Sequence, residues 1–372
     1  MNILITGNKG FIGQHLINTL KYVGPKGYRI IPFNRNDFQD SKSLDNKVKQ
    51  SSVIIHLAGL NRNEDQAVIY NSNIDLAEKL ADSIKRSGFN GKLIFSSSIQ
   101  ESMDNSYGKA KRYSRNLFIR ESKINDFSFS GLILPNIYGP FGKPNYNSFI
   151  QTFCQEICNG KEPEIIENNK VELIYIDSVI NLIIKEIENE DSNFEVLIKP
   201  EKIISVKKVK DKLIKFKKEY VDNNIIPNIE SDFDLNLFNV FRSHIKINSF
   251  FPVLYKENID ERGNFIEILR TNSKGQYSFS TTKPNITRGN HFHTKKIERF
   301  SVIKGESLIK LRKIGTNNTY EFKLNGNNPS FIDMPVWYTH NIKNIGEEEL
   351  ITLFCINEAY DKNNTDTYSE KV

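Results

Sequence analysis

Apolar residues follow two rhythms along this chain. Over the first 240 residues or so, short continuous apolar runs alternate with stretches whose apolar residues recur every three or four positions. The first rhythm belongs to parallel strands buried on both faces, the second to helices packed on them. Ile3-Leu4-Ile5 is such a run, and Phe11, Ile12, Leu16, Ile17 and Leu20 follow at helical spacing. Residues 28–33, 53–58, 92–95 and 127–134 continue the strand series. The alternation predicts βαβ units around a parallel sheet. After about Ser243 the texture changes to short β-rich runs punctuated by turn signals, among them Lys304-Gly305 and Gly326-Asn327-Asn328-Pro329. That spacing predicts a small barrel or jelly roll. The expected fold class is α/β followed by β, with an α/β domain over residues 1–245 and a barrel over 246–372.

Composition narrows the picture. The chain has 372 residues, 38% hydrophobic and 26% charged, enough for two packed cores and unlike a disordered chain. No apolar run approaches the ~20 residues that cross a bilayer, so no membrane insertion is expected. The N-terminus enters the first strand without the charged region and cleavage site of a signal peptide. Three cysteines cannot build a disulfide scaffold, and a reducing, cytoplasmic location follows. Cys154 and Cys158 share a helix face and are expected to pack as small apolar groups. Lys+Arg exceed Asp+Glu by 51 − 45 = 6. The densest basic stretch, Lys207 to Lys218, reads as an amphipathic helix with a solvated face, so no nucleic-acid partner is expected. Small anionic ligands such as nucleotides suit the balance better.

Gly7-Asn8-Lys9-Gly10-Phe11-Ile12-Gly13 follows the first strand and opens the first helix. Its glycines permit a tight turn and close approach to a pyrophosphate, and the helix N-terminus offers N–H donors. A carboxylate after the second strand would bind an adenosine 2′-OH. Asn34-Arg35 stands there instead, and an arginine pairs with a 2′-phosphate, favouring NADPH. Tyr107 and Lys111 fall at i, i+4 on one helix face. An adjacent ammonium is expected to lower the phenol's pKa and make Tyr107 a proton donor and acceptor. Ser98, nine residues upstream, is placed to hydrogen-bond the same substrate oxygen.

These residues resemble the extended short-chain dehydrogenase/reductases that act on nucleotide sugars. The likeness covers the glycine motif, His56-Leu57-Ala58-Gly59, the run Ser96-Ser97-Ser98, Tyr107-x-x-x-Lys111, Pro135-Asn136-Ile137-Tyr138-Gly139-Pro140 and Tyr175-Ile176-Asp177. The resemblance implies a Rossmann-type domain in which Ser98 and Tyr107 bind the reacting oxygen and Lys111 also holds the nicotinamide ribose. It implies that Leu57, Ala58 and Gly59 line the cofactor and that Asn136 touches the sugar nucleotide. Many relatives carry an arginine two residues before the proline; this chain has Ile133. The 4,6-dehydratases carry an Asp-Glu pair after the hydroxyl residue, where Ile99-Gln100 stand here, and the 4-epimerases carry the acid that Asn34-Arg35 replaces. A 4-keto sugar reductase fits best.

The second domain holds His291-x-His293, then Glu298, then His340. On a strand, residues i and i+2 face the same way, so both histidines of the pair can enter one interior. Three imidazoles and a carboxylate suit zinc, and also Fe(II), Ni(II) or Mn(II). The spacing resembles the two cupin motifs, with Trp337 in place of the second motif's glycine, near the expected pocket mouth. Asp260 to Phe265 and Arg288 to His291 resemble the nucleotide-sugar 3,5-epimerase branch of cupins, which makes Arg262 and Arg288 candidate diphosphate contacts. A histidine at the place of His291 serves there as base; here it is expected to be a ligand, so the base stays unassigned.

Reductase followed by metal cupin resembles, over essentially the full length, the bifunctional capsular-polysaccharide enzymes of N-acetyl-L-fucosamine synthesis. The resemblance implies that the barrel inverts C3 of UDP-2-acetamido-2,6-dideoxy-4-hexulose before the first domain reduces C4. It also implies a homodimer. In the rival reading, the cupin is only a binding or dimerisation module on a plain reductase.

Overall fold

The computed structural model describes residues 1–146, 148–255, 257–260, 263–266, 270–271, 276–358 and 364–372. The chain packs as two compact units: Met1–Thr152 with Ile165–Val206, and Phe153–Glu164 with Lys207–Val372. The helical stretch beyond Lys207 therefore packs with the barrel that follows it.

In the first unit, strands and helices alternate as β1 (Asn2–Thr6), α1 (Phe11–Asn18), β2 (Arg29–Ile31), α2 (Ser41–Lys49), β3 (Val53–His56), α3 (Gln66–Ser87), β4 (Lys92–Ser98), α4 (Ser106–Asn125) and β5 (Ser128–Leu134). They continue as β6 (Asn136–Tyr138), α5 (Phe149–Cys158, shared between the units), β7 (Lys170–Tyr175), α6 (Ile176–Glu188), β8 (Asn193–Leu197) and β9 (Lys202–Ser205). Six strands form a parallel sheet in the order β2-β1-β3-β4-β5-β8. Ile3, Leu4, Ile5, Ile54, Ile55 and Leu93 are wholly buried, as continuous apolar strands covered on both faces should be. β2 is shorter than its apolar run because Pro32 follows Ile31 and has no N–H for the ladder. From β1 the chain moves outward to β2, then returns to the other side of β1 as β3. The carboxyl ends of β1 and β3 flank that reversal, where open α/β sheets bind ligands. A second small sheet joins β6, β7 and β9.

From Lys207 the second unit holds α7 (Val206–Phe216), whose Val209, Leu213 and Phe216 are buried at helical spacing, and α8 (Asp232–Arg242). Its strands are β10 (Ile225–Ile226), β11 (Val253–Leu254), β12 (Glu257–Asp260), β13 (Gly263–Ile266), β14 (Arg270–Thr271), β15 (Gln276–Thr282), β16 (Thr287–Phe292), β17 (Glu298–Lys304), β18 (Glu306–Lys313), β19 (Thr319–Asn325), β20 (Ser330–Met334), β21 (Tyr338–Asn344), β22 (Leu350–Ile356) and β23 (Tyr368–Ser369). Two five-stranded antiparallel sheets result, β11-β20-β17-β22-β15 and β19-β18-β21-β16-β23. This is the two-layered arrangement of a cupin-like jelly roll. Buried Ile309, Leu311 and Ile332 contribute to its apolar interior. Tyr220 donates to the Asp333 carboxylate and Asn239 to the Lys295 carbonyl, tying the helical stretch to the barrel within this unit.

Candidate functional site

The glycine turn is built for close approach. Gly7 sits at φ 70, and a Cβ there would lie 2.7 Å from the Ala58 nitrogen. A Cβ on Gly13 would meet the Gly7 carbonyl at 2.4 Å, which explains the third glycine as a helix–turn packing position. Gly10 caps α1 with no side-chain hydrogen bond, leaving the free amides of the first turn for a ligand. Asn8 is anchored by donating to the Phe33 carbonyl at 2.7 Å. Leu57, Ala58 and Gly59 follow β3 directly. Their loop is held by Asn73, which accepts from Leu60 N at 3.2 Å and donates to Leu60 O at 2.8 Å. Asn73 was not among the expected residues; a lone asparagine inside a helix gives no sequence signal.

Beyond β2, Arg35 is exposed, while the nearest acid is occupied. The Asp37 carboxylate accepts from Asn34 N at 2.6 Å, Ser43 Oγ at 2.7 Å and Lys47 Nζ at 2.7 Å. Burial opposes its ionisation, but Lys47 and these donors hold it below the usual carboxylate range.

Ser98 ends β4, and its Oγ accepts from Gln100 N at 3.2 Å, leaving its O–H to donate. Asn105 caps α4 by accepting from Gly108 N at 2.7 Å. A Cβ on Gly108 would fall 1.9 Å from the Gln100 carbonyl, so only glycine lets the turn after Ser98 lie against the start of α4. Lys111 Nζ donates to the Ser96 carbonyl at 2.9 Å and stands 5.6 Å from the Tyr107 ring centroid. The expectation that Lys111 lowers the Tyr107 pKa is corrected. Burial, then Tyr146, pushes the phenol up. Burial lowers the Lys111 ammonium to about 8 against the opposing pull of Glu101. Desolvation outweighs the charge pair because both groups are buried. Glu101 pairs with Arg115 at 2.8 Å and accepts from Ser97, clamping the turn that follows Ser98.

In the barrel, His291, His293, Glu298 and His340 bring their ligand atoms within 4.8 Å of one another. β16 and β21 pair His291 directly with His340, and Glu298 opens β17 in the opposite sheet. The cluster therefore spans the space between the two sheets. A bulge between Gly289 (φ 95) and His291, with Asn290 at φ 63, shifts the β16 register at this point. His293 Nδ1 meets the Asp366 carbonyl at 2.5 Å and His340 Nδ1 meets the Tyr338 carbonyl at 3.2 Å. A carbonyl only accepts, so both Nδ1 atoms donate and each neutral ring turns a lone pair inward from Nε2. Both Nε2 atoms stand 3.1 Å from Glu298 Oε2, itself an acceptor. Buried His340 Nε2 has no hydrogen-bond partner of proper geometry. With both rings neutral, these lone pairs converge with no donor among them, and a cation resolves that, either a proton on an Nε2 or a metal ion in its place. Burial works against a charged His293, but Glu298 raises its pKa; burial, with His340 and His293 beside it, lowers His291 to about 4. Burial alone would raise the Glu298 carboxyl, yet His293 and His340 hold it well below the carboxylate range. The donor set fits a divalent metal such as zinc.

The remaining expected residues are scattered. Asn136 is exposed at the start of β6. Arg288 on β16 donates to Thr282 Oγ1 and the Thr281 carbonyl, each at 3.0 Å. Arg262 lies outside the described residues. Trp337 occupies a turn at φ 60, but it is buried and stacks on Phe292 with centroids 5.4 Å apart. Phe292 leaves its strand on the face opposite His291 and His293, so the indole packs behind the cluster, not at its mouth.

A family profile described as NAD dependent epimerase/dehydratase family matches residues 3–197, and one described as polysaccharide biosynthesis C-terminal domain matches residues 258–368. A Pseudomonas aeruginosa protein named UDP-2-acetamido-2,6-beta-L-arabino-hexul-4-ose reductase is 33% identical, spanning 99% of this chain and 98% of that protein. The crystal structure of the capsular polysaccharide assembling protein CapF from Staphylococcus aureus is 30% identical over 100% of both chains, with a TM-score of 0.63. A structure of CapF with the inhibitor 3-isopropenyl-tropolone is 28% identical over 100% of both chains, with a TM-score of 0.60.

Proposed function

Because this chain belongs to the NAD dependent epimerase/dehydratase family, carries a polysaccharide biosynthesis C-terminal domain and is similar to CapF over its whole length, we propose that it is a bifunctional nucleotide-sugar enzyme. The barrel epimerises C3 of UDP-2-acetamido-2,6-dideoxy-4-hexulose, and the first unit reduces the C4 ketone to give UDP-2-acetamido-2,6-dideoxy-L-talose. The name of the Pseudomonas reductase supports the substrate class. The same reading has a homodimer at work in the cytoplasm.

The C4 ketone makes the C3 hydrogen acidic, because the carbanion delocalises onto O4. His291, His293, Glu298 and His340 would hold a divalent metal, which when bound supplies Lewis acidity toward such an oxygen. The acceptor-only convergence of His293, His340 and Glu298 carries this reading. A tropolone offers two adjacent oxygens that chelate divalent cations, and its place as a CapF inhibitor adds support. Arg288 and Arg262 are assigned to the diphosphate; the C3 base is left open.

In the first unit, Gly7, Gly10 and Gly13 would cradle the pyrophosphate of NADPH, with Asn8, Lys9, Phe11 and Ile12 completing the turn. Exposed Arg35, beside Asn34, would pair with the 2′-phosphate, since Asp37 is already occupied. When bound, NADPH supplies the hydride for C4. Ser98 positions O4 and Tyr107 delivers the proton to it; its raised pKa keeps that proton in place until charge develops on the oxygen. Reduction removes the activating ketone, so epimerisation comes first.

Incubating the protein with the keto-sugar in D2O without NADPH tests both halves. Deuterium at C3, followed by a C3-inverted alcohol once NADPH is added, is the expected result. Reduction with neither exchange nor inversion would leave a plain reductase with a binding or dimerisation barrel.

A further inference from the structure

The turn that carries His293 to Glu298 is organised by a residue far away in sequence. Asp366 lies 73 positions beyond His293 and is buried. Its Oδ1 accepts from Thr294 N at 3.1 Å and Thr294 Oγ1 at 2.7 Å, and its Oδ2 accepts from Lys295 N at 3.1 Å and Lys296 N at 3.0 Å. Every one of those donors lies between the two expected ligands. The Asp366 carbonyl meanwhile takes the His293 Nδ1 proton at 2.5 Å. Its backbone stands at φ 41, a left-handed conformation that aspartate tolerates better than most residues. Around it the strap is pinned again. Lys296 Nζ donates to Thr365 O, Ser369 pairs with His291, Tyr368 pairs with Phe292, and Glu370 N donates to Asn290 O at 2.9 Å.

We propose that Asp366 is a positioning residue of the barrel's metal cluster, acting on both ends of the 293–298 turn. Its carbonyl fixes the tautomer and plane of His293, and its carboxylate gathers the three amides that would otherwise leave the approach to Glu298 loose. Partners of this kind set ligand orientation and basicity. The inference rests on the reading that these four side chains bind a metal.

The full-length apoprotein is titrated with Co2+ against a competing chelator, recording the visible d–d bands and, separately, NADPH affinity. Asp366→Ala is expected to weaken cobalt binding roughly 10- to 100-fold and to change band intensity, with NADPH binding unchanged. Both substitutions keep the backbone carbonyl; Asp366→Asn also keeps one side-chain acceptor oxygen, so it should fall between wild type and alanine. A residue that only stabilised the barrel would lower the melting temperature without altering the cobalt spectrum. Wild-type affinity and spectrum in Asp366→Ala, or in Asp366→Asn if the alanine variant does not fold, would overturn the proposal. If His340→Ala loses the cobalt bands while the Asp366 variants keep them, the metal reading stands and this inference alone falls. If wild type binds no cobalt, both fall.

Discussion

Gly7 and Ala58 touch backbone to backbone: the space a Gly7 Cβ would need is already filled by the Ala58 nitrogen, 2.7 Å away. The contact lies at the carboxyl ends of β1 and β3, with the glycine at φ 70. A side chain there meets two penalties, about 1–2 kcal/mol for the left-handed backbone and the displacement of the 57–59 loop. Gly7→Ala is therefore expected to cost at least about tenfold in NADPH affinity, by the factor that about 1.4 kcal/mol represents. Fluorescence titration checks it, and C3 exchange in the barrel should be unaffected. Wild-type NADPH binding would mean the turn does not shape the cofactor site.

On the proposed reading, Lys111 sets a pH limit on cofactor binding. Its folded pKa of about 8 lies below the roughly 10.4 of a free lysine, so between those values the folded chain binds fewer protons than the unfolded one. Stability from this group therefore rises with pH across the window, while its positive charge is lost. NADPH affinity should fall as pH climbs through about 8, with Tyr107 still protonated. Lys111→Arg keeps the charge and should flatten the profile. A flat profile in wild type would remove Lys111 from the cofactor site.

Much of this was legible in the chain. Continuous apolar runs announced the parallel strands, and His291-x-His293, Glu298 and His340 marked a cluster that the two sheets bring together. What escaped was three-dimensional crowding. Nothing local to Gly108 reveals that the Gln100 carbonyl would sit 1.9 Å from its Cβ, and nothing near Asp366 reveals that it serves a turn 70 residues upstream. The Tyr107–Lys111 electrostatics were misjudged because helical spacing gives proximity but not burial.

On the proposed reading, Arg35 is the residue that separates the two nicotinamide cofactors. A charge-assisted hydrogen bond to phosphate contributes about 1.5–3 kcal/mol, or roughly 10- to 100-fold in affinity. Arg35→Ala should lose that factor for NADPH and almost nothing for NADH, measured as the ratio of the two dissociation constants. An unchanged ratio would place the 2′-phosphate elsewhere.

Trp337 sets backbone against burial. At φ 60 it holds a conformation that costs a non-glycine residue about 1–2 kcal/mol, and glycine would relieve it. Its ring, however, is 3% exposed and stacked on Phe292, and truncating a buried aromatic costs about 3–5 kcal/mol. Burial wins: Trp337→Gly should destabilise the barrel by about 1–4 kcal/mol, read as a lower urea midpoint with a similar slope. Because the indole lies behind β16, the cobalt spectrum of the folded variant should match wild type. A raised midpoint would mean that the left-handed turn costs more than the packing returns, and an altered spectrum would mean that the ring shapes the cluster after all.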